Sequence, residues 1–369
     1  MGYFKKFGLP EVINAAGHLT ILGASAMDLR AAESMVEASK SYVVMEEWKK
    51  KAGAIIANMT GAEAAFITTG AAAGIVISTA ACMTGSDLTK IKRLPNSEDL
   101  KNEVIIQKGH VMTFGASITQ MVRLSGAKVV EVGTINWVEP SDLEGAITDK
   151  TAAILHVISP YCVQRGMLPL QEVIRIGKER SIPVIVDSAA ELDLKKYIKA
   201  EADLVLYSGG KEINGPACTG IIIGRRDLID ACVMQENGIG RCMKVSKETI
   251  AGLITALEIH FAKDEKTIRK NQIEIVKYIL NELKDVPYIE TSQVEDEAGR
   301  PITRAQLTFD EKALGITASE VVKQLANGDP IIKVRYHFES RNVFTIDPRT
   351  LKKGQEKIIV KILKKILMK

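Results

Sequence analysis

Short apolar runs alternate with stretches of helical spacing along most of the chain. The runs rich in Val, Ile, Leu or Ala stand at residues 64–68, 104–107, 129–132, 152–157, 183–187, 204–207 and 219–223. Each has the length of a strand buried on both faces, and apolar residues at helical spacing stand between most of them. This alternation predicts an α/β fold with a mainly parallel sheet.

The pattern changes in the last hundred residues. Residues 263–284 are highly charged with a helical period, which indicates a bridging helix. The short alternating runs and single helix beyond it are typical of a smaller α+β domain. We therefore predict an N-terminal segment over 1–25, a large α/β domain over 26–262 and a small C-terminal domain over 263–369.

Two polar stretches complete the pattern. Residues 90–102 are polar and contain Pro95, so we expect a surface loop there. Residues 351–369 carry seven lysines and one glutamate at helical spacing. We expect this terminus to form a solvated helix packed by its Ile, Leu and Val stripe.

Composition narrows the function. Lys and Arg number 49 against 45 Asp and Glu among 369 residues, so no overall field favours nucleic acid. The five cysteines are odd in number and form no C-x-x-C pair, which indicates a reducing, cytoplasmic compartment. No signal core and no membrane-spanning apolar run is present, and the scattered histidines predict no metal site.

Two of the apolar runs end in residues that can carry chemistry. The run 183–187 ends in Asp187, and the next run is followed by Ser208, two glycines and Lys211. Ligands bind at the carboxyl ends of parallel strands, where both residues fall. Pyridoxal phosphate needs a lysine amine for its Schiff base and an acid beside its ring nitrogen. The alternative on these residues alone is an ordinary Asp–Lys ion pair.

Further residues fit the cofactor in a fixed order along the chain. A small-residue helix start at Thr69–Gly74 comes first, and such starts bind phosphate. His110 follows the second strand, and Asp187, Ser208 and Lys211 come after it. The S-x-x-K spacing of the last two also occurs in penicillin-recognising enzymes, but their S-D-N and K-T-G elements are absent here. The order resembles that of fold-type I pyridoxal-phosphate enzymes, the aspartate-aminotransferase-like group.

A closer resemblance covers the chain from about residue 10 onward. Glu11–Gly17 (EVINAAG), Tyr207–Pro216 (YSGGKEINGP) and Ile346–Leu351 (IDPRTL) resemble the bacterial selenocysteine synthase family. Thr68–Ile75 (TTGAAAGI) and Cys162–Leu168 (CVQRGML) are similar to the ammonia-lyase branch of that family. The first motif begins almost at the first residue, so we expect no N-terminal tRNA-binding domain.

The resemblance implies a pyridoxal-phosphate-dependent ammonia-lyase. It implies α,β-elimination on a 2-amino-3-hydroxy sugar acid phosphate, such as D-glucosaminate 6-phosphate, giving 2-keto-3-deoxygluconate 6-phosphate and ammonia. The alternatives are a transferase acting on seryl-tRNA and another pyridoxal-phosphate-dependent amino-acid lyase or racemase. It also implies a homodimer or higher homo-oligomer with a small-molecule substrate and no membrane or nucleic-acid partner.

The resemblance also assigns roles to individual residues. Lys211 would hold the cofactor and move the substrate proton, Asp187 would meet the ring nitrogen, and His110 would stack on the ring. The cofactor phosphate would be bound by Thr69, Gly70, Ala71, Ala72 and Ser208.

Arginines are the expected partners of the substrate anions, because a planar guanidinium matches a carboxylate. Arg341 and Arg349 are the candidates for the substrate carboxylate, with Arg335 as a further one. Arg165 and Arg241 are candidates for the sugar phosphate. His18 and His156 are possible acids for the leaving hydroxyl, and nothing in their spacing selects either.

Overall fold

A computed structural model describes residues 3–336 and 341–368. The chain divides into two compact units: the larger is Met27–Ala262, and the smaller combines Met1–Ala26 with Lys263–Lys369. Each has its own apolar core. The three-part division into functional domains stays a prediction.

The strands and helices within the described residues run in the following order. The strands are β1 Val12–Ala15, β2 Ala64–Thr68, β3 Glu103–Gln107, β4 Lys128–Val132, β5 Thr151–Val157, β6 Val184–Asp187, β7 Leu204–Ser208, β8 Gly220–Gly224, β9 Ile289–Glu295, β10 Thr303–Phe309, β11 Ile331–Val334 and β12 Val343–Ile346. The α-helices are α1 Leu29–Ser39, α2 Met45–Thr60, α3 Ala71–Thr84, α4 Leu88–Arg93, α5 Ile118–Leu124, α6 Pro140–Gly145, α7 Leu170–Glu179, α8 Lys196–Lys199, α9 Arg226–Met234, α10 Lys247–Ala262, α11 Glu265–Leu283, α12 Glu311–Leu314, α13 Ala318–Ala326 and α14 Gln355–Leu367.

The larger unit is built on a seven-stranded sheet in the order β2-β8-β7-β6-β5-β3-β4. The neighbouring pairs from β7 to β4 are parallel, whereas β8 runs antiparallel to both β2 and β7. The predicted α/β fold with a mainly parallel sheet is confirmed. Because β8 starts opposite the ends of β2 and β7, one edge of the sheet collects the residues Gln107, Val157, Asp187, Ser208, Gly220 and Thr68.

Both faces of this sheet are covered, as the unbroken apolar runs require. Val184 and Val186 belong to one buried apolar cluster, whereas Ile185 between them belongs to another. Successive side chains of a strand point to opposite faces. The central strands β6, β7 and β8 are therefore mainly hydrophobic, and Asp187 and Ser208 stand at the ends of β6 and β7.

The stretch predicted as a surface loop is partly helical. The Asp87 side chain accepts hydrogen bonds from the amides of Thr89 and Lys90 at 2.9 and 3.2 Å and so caps the short helix α4. Ile91 anchors this helix because its side chain is completely buried. The loop prediction for residues 90–102 was therefore wrong in its first turn, since one capped turn leaves little periodicity to detect.

The smaller unit has the predicted α+β character. Its strands form an antiparallel sheet in the order β12-β10-β9, and β1 pairs in parallel with β11. The charged stretch after residue 262 forms α11, which buries Val276, Ile279 and Leu283 in this unit's core. The lysine-rich terminus forms α14, packed by its apolar stripe as predicted. No helix in the described part of the chain is long and apolar enough to cross a membrane.

Candidate active site

Asp187 is a buried carboxyl at the end of β6. Only 6% of the residue is exposed, and burial raises its pKa to about 6. The positive charge of Lys211 and a 3.2 Å hydrogen bond from the amide of Ala189 oppose that rise. A further cationic donor would stabilise the ionised carboxylate, because a buried charge is stable only when it is paired.

The backbone after Asp187 is fixed to the neighbouring strand. The amide and the hydroxyl of Ser188 both donate to the carbonyl of Leu206, at 3.0 and 2.9 Å. The amide of Ser208 donates to the carbonyl of Ala189 at 3.1 Å. These bonds extend the pairing of β6 and β7 beyond Asp187, so the backbone that follows this residue is held against β7.

Two glycines pack the Lys211 loop tightly against the segment that follows it. A Cβ at Gly210 would lie 2.5 Å from Cα of Ala217, and a Cβ at Gly209 would collide with the hydroxyl of Thr219. The amide of Gly209 donates to the carbonyl of Thr219 at 2.8 Å. The glycines therefore allow the two backbone segments to pack closely, and this packing fixes the position of the Lys211 backbone at the sheet edge.

The start of α3 lies at the same edge and offers donors for an anion. Gly70 precedes this helix and no side chain caps it, so its first amides have no side-chain acceptor. A Cβ at Gly220 would lie 2.6 Å from the carbonyl carbon of Gly70, which shows that the helix start packs directly on β8. The hydroxyl of Thr68 is buried and has no hydrogen-bond partner among the described residues. Thr69, Gly70 and Ala72 are partly exposed there.

His110 lies in the 3₁₀ turn Lys108–His110 after β3 and is completely buried. Its Nδ1 accepts a hydrogen bond from the amide of Val157 at 3.3 Å, and its ring meets that of His156 edge to face at 4.6 Å. Burial lowers the pKa of His110 to about 4 and holds that of His156 well below its usual range. Neither face of the His110 ring is open to solvent in this structure, and its stacking role stays a prediction.

Gln107 is a buried residue of this edge that the sequence analysis missed. Its Oε1 accepts from the amide of Leu168 at 2.6 Å, and its Nε2 donates to the carbonyl of Leu168 at 3.3 Å. The same Nε2 lies 3.4 Å from Nδ1 of His156. The available signal was a single amide at the end of the apolar run 104–107, because such a residue is buried only when its hydrogen bonds are met.

The loop over residues 158–168 follows β5, contacts Asp187 and carries an exposed arginine. The amide of Ile158 donates to the carbonyl of Asp187 at 2.8 Å, and the thiol of Cys162 donates to the carbonyl of His110 at 3.7 Å. Burial and the nearby Asp187 raise the pKa of Cys162 to about 12, so this thiol stays protonated at neutral pH. Arg165 is exposed on the same loop. Arg241, in the 3₁₀ helix Ile239–Met243, is exposed as well.

The remaining arginine candidates lie in the smaller unit. Arg349 binds Asp347 through two nitrogens, with Nε to Oδ1 at 2.9 Å and Nη2 to Oδ2 at 2.7 Å. Arg335 is buried and lies 3.6 Å from a carboxylate oxygen of Glu297. Arg341 is exposed. Their roles, and that of the partly buried His18, stay predictions.

The residues at the edge of the larger sheet fit a phosphorylated pyridine aldehyde. Asp187 can accept a hydrogen bond from a protonated ring nitrogen, and Lys211 supplies an amine for the aldehyde. The uncapped start of α3 and the unpartnered hydroxyl of Thr68 suit the phosphate. The described residues contain no group of three or more His, Cys, Asp or Glu that could hold a metal ion.

Comparison with known proteins gives one family and several relatives. The model of the family SelA, L-seryl-tRNA selenium transferase, matches residues 12–303. The D-glucosaminate-6-phosphate ammonia lyase of Salmonella typhimurium is 38% identical over 98% of this chain and 97% of its own. A 5'-C-glycyluridine monooxygenase-decarboxylase of a Streptomyces species is 36% identical over 99% of this chain and 92% of its own.

Solved structures share the fold over the full length. A structure of D-glucosaminate-6-phosphate ammonia-lyase superposes with a TM-score of 0.91 at 36% identity, covering 100% of this chain and 98% of that one. More distant structures share the fold alone, and an aminotransferase 14% identical superposes with a TM-score of 0.63. The fold is that of fold-type I pyridoxal-phosphate enzymes.

Proposed function

Because this chain belongs to the SelA (L-seryl-tRNA selenium transferase) family, we propose that it is a pyridoxal-phosphate-dependent ammonia-lyase. The substrate is a 2-amino-3-hydroxy sugar acid phosphate such as D-glucosaminate 6-phosphate. The observation that carries this proposal is the 38% identity to a D-glucosaminate-6-phosphate ammonia lyase over nearly the whole of both chains. The buried carboxyl and the lysine at one sheet edge support it.

The proposed reaction removes the C2 proton and the C3 hydroxyl of the substrate. They leave together as water, and a water molecule returns when the amino group is replaced by a ketone oxygen. The net products are 2-keto-3-deoxygluconate 6-phosphate and ammonia, so no oxidant or reductant is needed. When bound, pyridoxal phosphate supplies an electron sink for the C2 carbanion.

Lys211 and Asp187 carry the proposed chemistry. The Lys211 amine would hold the cofactor through its aldehyde and would take the proton from C2 of the substrate. Asp187 holds a proton on the ring nitrogen by accepting a hydrogen bond from it. The raised pKa of this carboxyl supports the assignment, because its ionised form gains stability from a cationic partner.

The phosphate and the ring have proposed partners as well. The uncapped start of α3 supports phosphate binding by main-chain amides, and His110 is proposed to stack on the ring. The phosphate-binding residues are Thr69, Gly70, Ala71, Ala72 and Ser208.

Four arginines are proposed to bind the substrate anions. Arg349, with Arg341 as the second candidate, binds the carboxylate. Arg165 and Arg241 bind the sugar phosphate, and their exposure in the larger unit supports this. An arginine fork suits both groups because it donates two parallel hydrogen bonds.

We also propose that the protein forms a homodimer or a higher homo-oligomer in the cytoplasm. Tyr42, Val43 and Val44 are consecutive and exposed, and exposed apolar patches mark protein interfaces. The five cysteines are all unpaired, as a reducing compartment favours. Light scattering during size-exclusion chromatography tests the assembly, and a fully active monomer would contradict it.

The test of function combines a visible spectrum with an ammonia assay. The purified protein should show a cofactor absorption band that shifts when D-glucosaminate 6-phosphate is added, with ammonia released. K211A should lose both the band and the ammonia, whereas K199A, an exposed lysine on α8, should keep both. A wild-type protein with no band after addition of pyridoxal phosphate would refute the cofactor.

A second candidate is an oxygen-consuming decarboxylation of an amino acid. The 36% identity to a monooxygenase-decarboxylase over 92% of that enzyme favours it. An oxygen electrode and a carbon dioxide assay separate the two reactions. If the protein consumes oxygen and releases carbon dioxide with an amino acid, and releases no ammonia from the sugar acid phosphate, the second proposal replaces the first.

A further inference from the structure

Gly17 brings its backbone against the Arg349–Asp347 ion pair. A Cβ at Gly17 would lie 2.7 Å from Nη2 of Arg349 and 3.0 Å from Oδ2 of Asp347. The residue also has a φ of +86°, in the left-handed region. Glycine is therefore favoured at this position for two independent reasons: its positive φ, and the lack of space for a Cβ beside the Arg349 guanidinium.

The turn that contains Gly17 is held by hydrogen bonds within itself and by hydrogen bonds from the segment around Asp347. The Asn14 side chain donates to the carbonyl of Gly17 at 2.9 Å and accepts from the amide of Ala16 at 3.0 Å. The amide of Asp347 donates to the carbonyl of Ala15 at 2.8 Å, and the hydroxyl of Thr350 donates to the carbonyl of Asn14 at 2.7 Å. The N-terminal motif and the IDPRTL motif are therefore joined into one rigid junction.

Asp347 cannot yield to an added side chain, because a second arginine holds it. Nε of Arg304 donates to its Oδ2 at 2.9 Å, and Nη2 of Arg304 donates to Asp296 at 2.7 Å. The side chains of Arg304 and Asp347 are 1% and 0% exposed. The atom that can move away from a new Cβ is thus Nη2 of Arg349, at the flexible end of its side chain.

We propose that Gly17 is a positioning residue for Arg349. The glycine leaves room for Nη2 to bind Asp347. This contact fixes the orientation of the guanidinium, so that its adjacent Nη1–Nη2 edge faces the substrate carboxylate. The N-terminal motif thereby sets the affinity for the substrate carboxylate without touching the substrate. This inference rests on the part of the proposed function in which Arg349 binds that carboxylate.

The test compares G17A with G23A. Gly23 has a nearly equal φ of +83° but no atom within 4 Å of an added Cβ, so it reproduces the backbone strain without the contact. G17A should raise KM for the sugar acid phosphate about tenfold or more, as loss of a charge-assisted hydrogen bond does, and leave kcat within about twofold. G23A should keep the wild-type KM. Equal KM values for the two variants would overturn the inference.

A double-mutant cycle tests the route through Arg349. R349K removes Nη2, so it should raise KM by itself, and adding G17A should then raise KM no further. An additive effect would contradict the contact.

Labelling of Arg349 by phenylglyoxal, followed by mass spectrometry, tests the contact without substrate. The Arg349 side chain is 7% exposed, and it should be labelled faster in G17A than in G23A. An R349K enzyme with unchanged KM would refute the carboxylate role of Arg349, and with it the inference.

Discussion

The amide of Val157 donates to Nδ1 of His110 at 3.3 Å, and this bond fixes the tautomer of the ring. A nitrogen that accepts a hydrogen bond carries no proton, so the proton of the neutral ring lies on Nε2. Val157 is also the register partner of Asp187. A neutral histidine with a defined tautomer therefore lies one strand away from the carboxyl proposed to hold the cofactor.

We expect His110 to stay neutral between about pH 5 and pH 8, because burial lowers its pKa from 6.5 to about 4. The unfolded chain binds more protons than the folded one between these two values, so this residue lowers stability as pH falls from 6.5 toward 4. NMR of ¹⁵N-histidine-labelled protein should show an Nε2-protonated neutral ring that H110N removes from the spectrum. A ring that titrates near pH 6.5 would contradict this.

D187N should stabilise the cofactor-free protein at neutral pH while abolishing the chemistry. The carboxyl has a pKa of 3.8 in the unfolded chain and about 6 when folded, so its ionisation costs stability as pH rises through this window. The gain above about pH 7 is about 3 kcal/mol at most. Melting temperatures of wild type and D187N should converge below about pH 4. D149N, at an exposed position, should follow the wild type at every pH.

R165Q and R241Q should each weaken binding of the phosphorylated substrate selectively. Loss of one charge-assisted hydrogen bond to phosphate raises KM by about 10- to 100-fold. The KM for unphosphorylated D-glucosaminate should not change, because it lacks the group that these arginines bind. R180Q, at an exposed position after α7, is the control. Equal effects on both substrates would remove the phosphate role.

Q107M should destabilise the larger unit by about 2–4 kcal/mol. The substitution keeps the volume but leaves the amide and carbonyl of Leu168 buried without the partners that Gln107 provides. Urea unfolding monitored by circular dichroism measures the loss. Q120M, on the exposed face of α5, should change stability by less than about 0.5 kcal/mol. A Q107M protein as stable as Q120M would contradict this prediction, because the amide and carbonyl of Leu168 would then have found other hydrogen-bond partners.

The sequence was most informative where structure is local. An apolar run ending in Asp187, and another ending before Lys211, predicted two strands and the edge at which they finish. Strands buried on both faces appear in the sequence as nearly continuous hydrophobic runs, and a polar residue at the end of such a run indicates where the strand ends. The antiparallel direction of β8 left no such mark, since an apolar strand of five residues has the same pattern in either direction.

Contacts between distant segments were beyond sequence reasoning. Gln107 binds Leu168 across 61 residues, and nothing near either residue indicates the other. Gly17 and Arg349 each stood in a motif singled out from the sequence, but their contact depends on how β1 and β12 pack. Glycine can serve a turn, a helix end or a close approach, and only coordinates show which one applies.

The pairing of β1 with β11 has a consequence for the time course of synthesis. Val12 pairs with Ile331, so β1 must wait for a partner that is made more than 300 residues later. At usual elongation rates this delay is about 15 to 60 s. All strands of the seven-stranded sheet are complete by residue 224, and that sheet can form during the wait. Strand β1 is thus made before the seven-stranded sheet but paired after it, and until then its unpaired edge is one that a chaperone could cover.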